Sequence, residues 1–205
     1  MITRKGTERV VRFAFELARK RSGAPLDGKR RVTACDKANV LRSYAFFRRV
    51  FKEIASRYPD VGADYAYVDA MTVHQVNRPD FYDVVVAENI FGDIISDLGA
   101  ATVGSMGMSP AAELGDHHGF FQASHGSAPD IMGQGIANPL GTILAGSLML
   151  TWLGERKQDP NLNETATRIE RAVEVVLGSG ETLTRDLGGR ATTAEMTKAV
   201  CEALH

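Results

Sequence analysis

The run Tyr82-Asp-Val-Val-Val-Ala87 constrains the fold more than any other segment of the sequence. Consecutive apolar, β-branched positions fit a strand covered on both faces, and such strands belong to parallel sheets flanked by helices. Two more β-prone segments precede it: Arg31-Val-Thr-Ala34, ending at Cys35-Asp36-Lys37, and an alternating stretch from Asp64 to Val68. Helical patterns lie between them. Val10, Ala14, Leu17 and Ala18 share one face behind Thr3 or Thr7 as N-caps, and Phe46, Phe47, Val50, Phe51 and Ile54 form the buried stripe of a second helix. The pattern predicts a short helical piece from Ala70 to Val76, a helix opening at Asn89, a strand from Phe120 to Ala123, and helices at about 140–153, 163–177 and 192–204. Strands alternating with helices give an α/β class. The Gly-, Met- and Pro-rich segment from Gly104 to Gly119 reads as the crossing between two lobes.

Composition removes several functional classes. Lys+Arg of 24 against Asp+Glu of 25 leaves a formal net charge of -1, so no overall attraction to nucleic acid or an anionic membrane is expected. Cys35 and Cys201 are far apart and lack metal-ligand spacing, which argues against a disulfide scaffold or structural zinc. No apolar stretch spans a bilayer or opens the chain as an export signal, so a cytoplasmic location is expected.

Four places carry residues suited to chemistry. In Gly92-Asp-Ile-Ile-Ser-Asp97 the two carboxylates are four apart, on one helical face, at a spacing that lets both reach one hard cation. Taken alone, Asp93 and Asp97 read as solvated acids. Their position after a buried strand, at the positive end of a helix and among apolar Phe91, Ile94 and Ile95, favours a metal site. Lys37 ends a strand, where it can point into a cleft as general base or surface cation, and Asn39 can hydrogen-bond a ligand. Asp69 is read either as a third metal ligand or as an N-cap. Finally, the segment from His125 to Pro139 holds Gly126, Gly133 and Gly135, which permit close backbone approach to a ligand, and Asn138-Pro139 reads as an N-cap and first helical residue. Asp130 suits a ribose diol and repels a 2′-phosphate, which favours NAD over NADP.

Together, Asp36-Lys-Ala-Asn-Val40, Val68-Asp-Ala-Met71, Asn89-Ile-Phe-Gly-Asp-Ile-Ile-Ser-Asp97, His125-Gly-Ser-Ala-Pro-Asp130 and Gly135-Ile-Ala-Asn-Pro139 resemble, in order and spacing, the motifs of the isopropylmalate/isocitrate (β-decarboxylating) dehydrogenase family. The resemblance covers the later part of a family member. It implies an incomplete α/β fold of that type without its N-terminal half, in two partial lobes: 1–107, dimerisation and catalysis, and 108–205, part of the cofactor-binding lobe. It implies Mg²⁺ or Mn²⁺ at Asp93 and Asp97, with Lys37 and Asp69 reaching into the neighbouring site of a homodimer. Lys37 and Asp69 would be catalytic, Asp69 also a metal ligand, and Lys37 and Asn39 would face the substrate. His125, Gly126, Ser127, Ala128, Asp130 and Asn138 would line the adenosine end of NAD. The implied reaction is oxidative decarboxylation of a small malate-type 2-hydroxy acid, with isopropylmalate the first choice. Leu41-Arg-Ser-Tyr44 departs from the isopropylmalate pattern and keeps tartrate or malate open, and the lack of an arginine cluster raises the alternative of a truncated, non-catalytic partner subunit.

Overall fold

β1 (Arg31–Asp36) is buried at every position and organises the first half of the chain in the computed structural model, which describes residues 1–204. It pairs in parallel with β2 (Gly62–Tyr67) on one side and β3 (Val84–Ala87) on the other, giving the order β2-β1-β3. Among the described residues, β2 and β3 therefore each have one side unpaired within this sheet. The period of two separates two apolar layers. Val32, Ala34, Val84 and Val86 pack with α1 (Arg4–Lys20) and α2 (Arg42–Ala55), whereas Cys35, Val85 and Ala87 pack with Met71 of α3 (Val68–Asn77) and Ile95 of α4 (Asn89–Thr102). The apolar run around Val84 is apolar because both its faces are covered.

Local signals set the helix ends. Thr3 accepts from the Gly6 amide as the cap of α1, while Thr7 lies inside the helix and donates to the Thr3 carbonyl. The stripe of α2 is Tyr44, Phe47, Val50, Phe51 and Ile54, with Phe46 only partly buried. Phe15 stacks on Tyr58 with ring centroids 4.8 Å apart and meets Phe51 at 5.6 Å, which locks α1 onto α2.

The chain divides into two compact units at Thr102/Val103. In the second unit, part of the segment expected as a crossing is instead ordered as a 3₁₀ turn at Met106–Met108 and β4 (Pro110–Leu114). β4 pairs antiparallel with β5 (Gly119–Ala123) and the hairpin packs on α5 (Leu140–Lys157). Among the described residues, two strands form this sheet. β5 matches the strand expected from Phe120 to Ala123, whereas β4 escaped the sequence pattern because Pro110-Ala-Ala-Glu-Leu114 carries little β propensity and is held by its partner strand. α6 (Pro160–Ser179) begins three residues earlier than expected, because Asp159 caps it and Pro160 occupies its first turn. α7 (Thr193–Ala203) opens with a reciprocal Thr192/Glu195 capping box. Leu140, Val173, Val176, Met196 and Val200 form the core of these three helices.

One polar tie lies beneath the first unit's apolar layers. Asp36 is fully buried and accepts from Arg48 Nε and Nη2 at 2.8 and 2.7 Å and from the Ala38 amide at 2.9 Å. Two losses of stability follow, both measurable by chemical denaturation of the first unit. Phe15→Ala should cost about 3–5 kcal/mol through lost burial and the cavity it leaves. Asp36→Ala should cost about 3–5 kcal/mol because it strands the Arg48 guanidinium.

Candidate active site

The parallel sheet delivers the ends of β1, β2 and β3 to the same edge, where ligands of open α/β sheets bind. After β1 the chain turns tightly, with the Val40 and Leu41 amides donating to the Lys37 carbonyl. Lys37 Nζ then donates to Asp69 Oδ1 at 2.6 Å. Asp69 lies in the first turn of α3, and Tyr67 rather than Asp69 holds the cap position. The hydrogen bond from Lys37 holds the Asp69 carboxyl below its ordinary value, against the opposing effect of burial. Lys37 and Asp69 thus form one unit, with the ammonium 5.7 Å from the Tyr67 ring centroid. Asn39 is exposed beside them.

α4 carries Asp93 and Asp97 on one face, and Asn89 Nδ2 donates to Asp93 Oδ2 at 3.1 Å. Neither carboxylate lies in the helix's first turn, so the helix dipole argument does not apply to them. Both are also exposed, with Ile95 alone of the neighbouring apolar residues buried, so no cost of burial bears on them. The pair still suits a hard cation: two solvent-facing carboxylate oxygens one turn apart, with space for water and a chelating ligand. Among the described residues no group of three His, Cys, Asp or Glu side chains gathers into a metal site, so Asp69 does not join Asp93 and Asp97 within one chain.

Glu88, at the junction of β3 and α4, was not singled out by sequence. Its carboxylate accepts from the Ile90 amide at 3.1 Å and from the Tyr44 hydroxyl, while Tyr44 stacks on Phe91 at 4.5 Å. This joins α2, which follows the Lys37 turn, to the helix bearing Asp93. Burial and the hydrogen bond to Glu88 push the Tyr44 hydroxyl well above its ordinary value.

In the second unit, the glycine-rich loop is exposed from His125 to Asp130. His125 Nδ1–H donates to the Gly126 carbonyl at 2.9 Å, which leaves Nε2 as the ring's acceptor when the imidazole is neutral. Gly133 and Gly135 take positive φ of 76° and 64°, and Ala128 does so at 42° despite its Cβ, a strained conformation. Gln134 Nε2 donates to the Asp130 carbonyl. Asn138 is 8% exposed and bound at both ends: its Oδ1 accepts from the Leu140 amide, and its Nδ2 donates to Asp186 at 3.0 Å. Pro139 takes the cap position of α5, so the helix starts one residue later than the Asn138-Pro139 pair suggested. Burial works to raise the Asp186 carboxyl, but hydrogen bonds from Ser105 and Asn138, among others, hold it below its ordinary value. Thr193 fixes the loop from α7, its amide donating to Gly135 and its hydroxyl to Ala137. Asp186 and Thr193 carry no motif of their own; the Arg185-Asp-Leu-Gly-Gly189 turn was their one visible signal.

Comparison with known proteins agrees with this arrangement of motifs. The isocitrate/isopropylmalate dehydrogenase family model matches residues 1–200. The 3-isopropylmalate/3-methylmalate dehydrogenase of Methanocaldococcus jannaschii is 47% identical over 203 residues, covering 98% of this chain and 58% of that protein. The probable tartrate dehydrogenase/decarboxylase of Bacillus subtilis is 40% identical over 208 residues, covering 100% of this chain and 54% of that protein. Isocitrate dehydrogenase from Methylococcus capsulatus superposes with a TM-score of 0.87 at 42% identity, over 100% of this chain and 57% of that one. This chain thus spans a little over half the length of these relatives. It has the α/β fold of these enzymes over the part it covers, and it belongs to the isocitrate/isopropylmalate dehydrogenase family.

Proposed function

We propose that the chain provides the metal, proton-transfer and adenosine-binding parts of an NAD-dependent dehydrogenase that oxidatively decarboxylates a malate-type 2-hydroxy acid, most closely 3-isopropylmalate. The observation that carries this reading is the Lys37–Asp69 hydrogen bond at the end of β1, with the Asp93–Asp97 pair on α4. Asp93 and Asp97, with Asp69 of a second copy, would hold Mg²⁺ or Mn²⁺, which would supply the positive charge that acidifies a substrate hydroxyl. Once its own proton passes to Asp69, Lys37 as the neutral amine would take the substrate hydroxyl proton, with Asp69 orienting that amine, while NAD, when bound, would accept the hydride. Asn39 hydrogen-bonds substrate beside it. The loop of His125, Gly126, Ser127, Ala128 and Asp130 holds the adenosine end of NAD, with Asp130 on the ribose diol, and Asn138 shapes that loop from beneath. Because Lys37 and Asp69 are tied together within one protomer, this reading makes the enzyme a homodimer with shared sites, working on a small molecule in the cytoplasm.

Tartrate or malate is the second substrate reading. It is favoured by Leu41-Arg-Ser-Tyr44 and by the Bacillus subtilis relative's name. The span of little more than half of the relatives keeps a non-catalytic partner as the other alternative.

NAD reduction with Mn²⁺ across isopropylmalate, tartrate and malate separates these readings. Lys37→Ala and Asp93→Asn should each abolish turnover while leaving unfolding transitions intact, and Asp93→Asn should weaken Mn²⁺ binding, followed by electron paramagnetic resonance, at least tenfold. Mixing the two inactive variants should restore up to about a quarter of the activity, because half of the random dimers carry one wholly native shared site. Near-normal turnover in both variants would overturn the assignment, and no restoration on mixing would overturn the shared site.

A further inference from the structure

The net charge of -1 conceals a strong segregation. Residues 1–57 hold sixteen Lys and Arg against five Asp and Glu, a net +11, and the remainder of the chain holds eight against twenty. α1 and α2, which carry most of this positive charge, lie together on one face of the sheet. Anions are therefore drawn to that face at long range.

The face contains an open cleft of about 490 Å³, lined in part by Asn39, Arg48, Arg49, Lys52, Glu53 and Tyr67. Its size falls within the range of small-molecule sites. Its three cations are arranged before any ligand arrives. Arg48 is fixed by Asp36 and lies 4.9 Å from the Tyr67 ring centroid and 5.2 Å from that of Tyr65. Lys52 lies 5.3 Å from the Tyr65 centroid, and Arg49 5.3 Å from that of Phe46. Among the described residues, neither Lys52 nor Arg49 has a carboxylate within ion-pair distance. The one acid in the lining, Glu53, is taken by Arg4 at 2.6 Å. Holding long cationic side chains on aromatic faces lowers the ordering cost of binding an anion.

We propose that this cleft binds a small organic phosphate: Arg49 and Lys52 take the phosphate oxygens, and the remaining volume holds the organic part. The volume exceeds what inorganic phosphate fills, and doubly charged oxyanions match the guanidinium and ammonium groups that line the cleft. The cleft borders the Lys37 turn directly, because Ala38 and Asn39 line it, and Arg48 adds a second link. Arg48 faces the cleft, and the Asp36 carboxylate it holds also accepts from the Ala38 amide. Occupancy of the cleft therefore reaches the backbone next to Lys37. This inference stands on the first unit alone, and the cleft shares Asn39 with the proposed substrate site.

The test is calorimetric titration of the chain with ribose 5-phosphate, inorganic phosphate and ribose, with the Ala38 amide resonance followed in parallel. None of these probes carries adenine, so the glycine-rich loop is not engaged. Ribose 5-phosphate should bind more tightly than phosphate, ribose should not bind, and the Ala38 resonance should move on saturation. Arg49→Ala and Lys52→Ala should each weaken binding about tenfold, the loss of one charge-assisted contact. Lys5→Ala on α1 should change it less than about twofold, as expected for an exposed charge outside the cleft. Glu53→Gln should tighten it by removing the one carboxylate in the lining. Absence of heat and resonance shifts at millimolar ribose 5-phosphate would overturn the proposal, and equal losses in Lys5→Ala and Arg49→Ala would reduce it to a diffuse field effect.

Discussion

The arrangement of the first unit depends on the buried carboxylate of Asp36. A central strand covered on both faces has no water at its end, so a charge placed there needs full compensation. Asp36 receives three hydrogen bonds, two from Arg48 and one from the Ala38 amide. Arg48 belongs to α2 and its guanidinium also rests against Tyr65 and Tyr67 of β2. One ion pair therefore fixes the central strand, its crossover helix and the neighbouring strand, and it bends the backbone so that Lys37 emerges toward Asp69. Apolar layers alone would hold the sheet together without specifying where that turn points. This is the kind of buried polar group whose contribution is positional more than energetic.

The parallel sheet was legible because its strands carry their own evidence. Tyr82 to Ala87 reads as a doubly covered strand from composition alone, although only Val84–Ala87 pair within it. The helices of the first unit were legible from periodicity, but Phe46 shows how that signal blurs by one residue: adjacent aromatics at 46 and 47 compete for one stripe, and packing against β1 decides for Phe47. In the β4–β5 hairpin, β5 matches the strand expected from Phe120 to Ala123, but β4 was not legible. Pro110 and two alanines give no strand propensity, and the pairing that holds them is a property of two segments together.

The site divides in the same way. Motifs single out Lys37, Asp69, Asp93, Asp97 and the His125 to Asp130 loop as candidates. The groups that orient them were not singled out, because Arg48, Glu88, Asp186 and Thr193 lie 12, 44, 48 and 56 positions from their respective partners Asp36, Tyr44, Asn138 and Ala137. No local pattern reports such pairings. Asn138 changes meaning most: its amide is committed to Leu140 and Asp186, which makes it a shaper of the loop more than a contact surface.

The unpaired sides of β2 and β3 also set a rule for whatever lies alongside them. A strand edge offers backbone donors and acceptors at fixed intervals, so an added strand can join only in discrete steps of one residue. Each step exchanges which of the newcomer's side chains face α1 and α2 and which face α3 and α4. The sheet edge thus acts as a ruler with a parity: a segment shifted by one residue presents each of its side chains to the opposite helix layer.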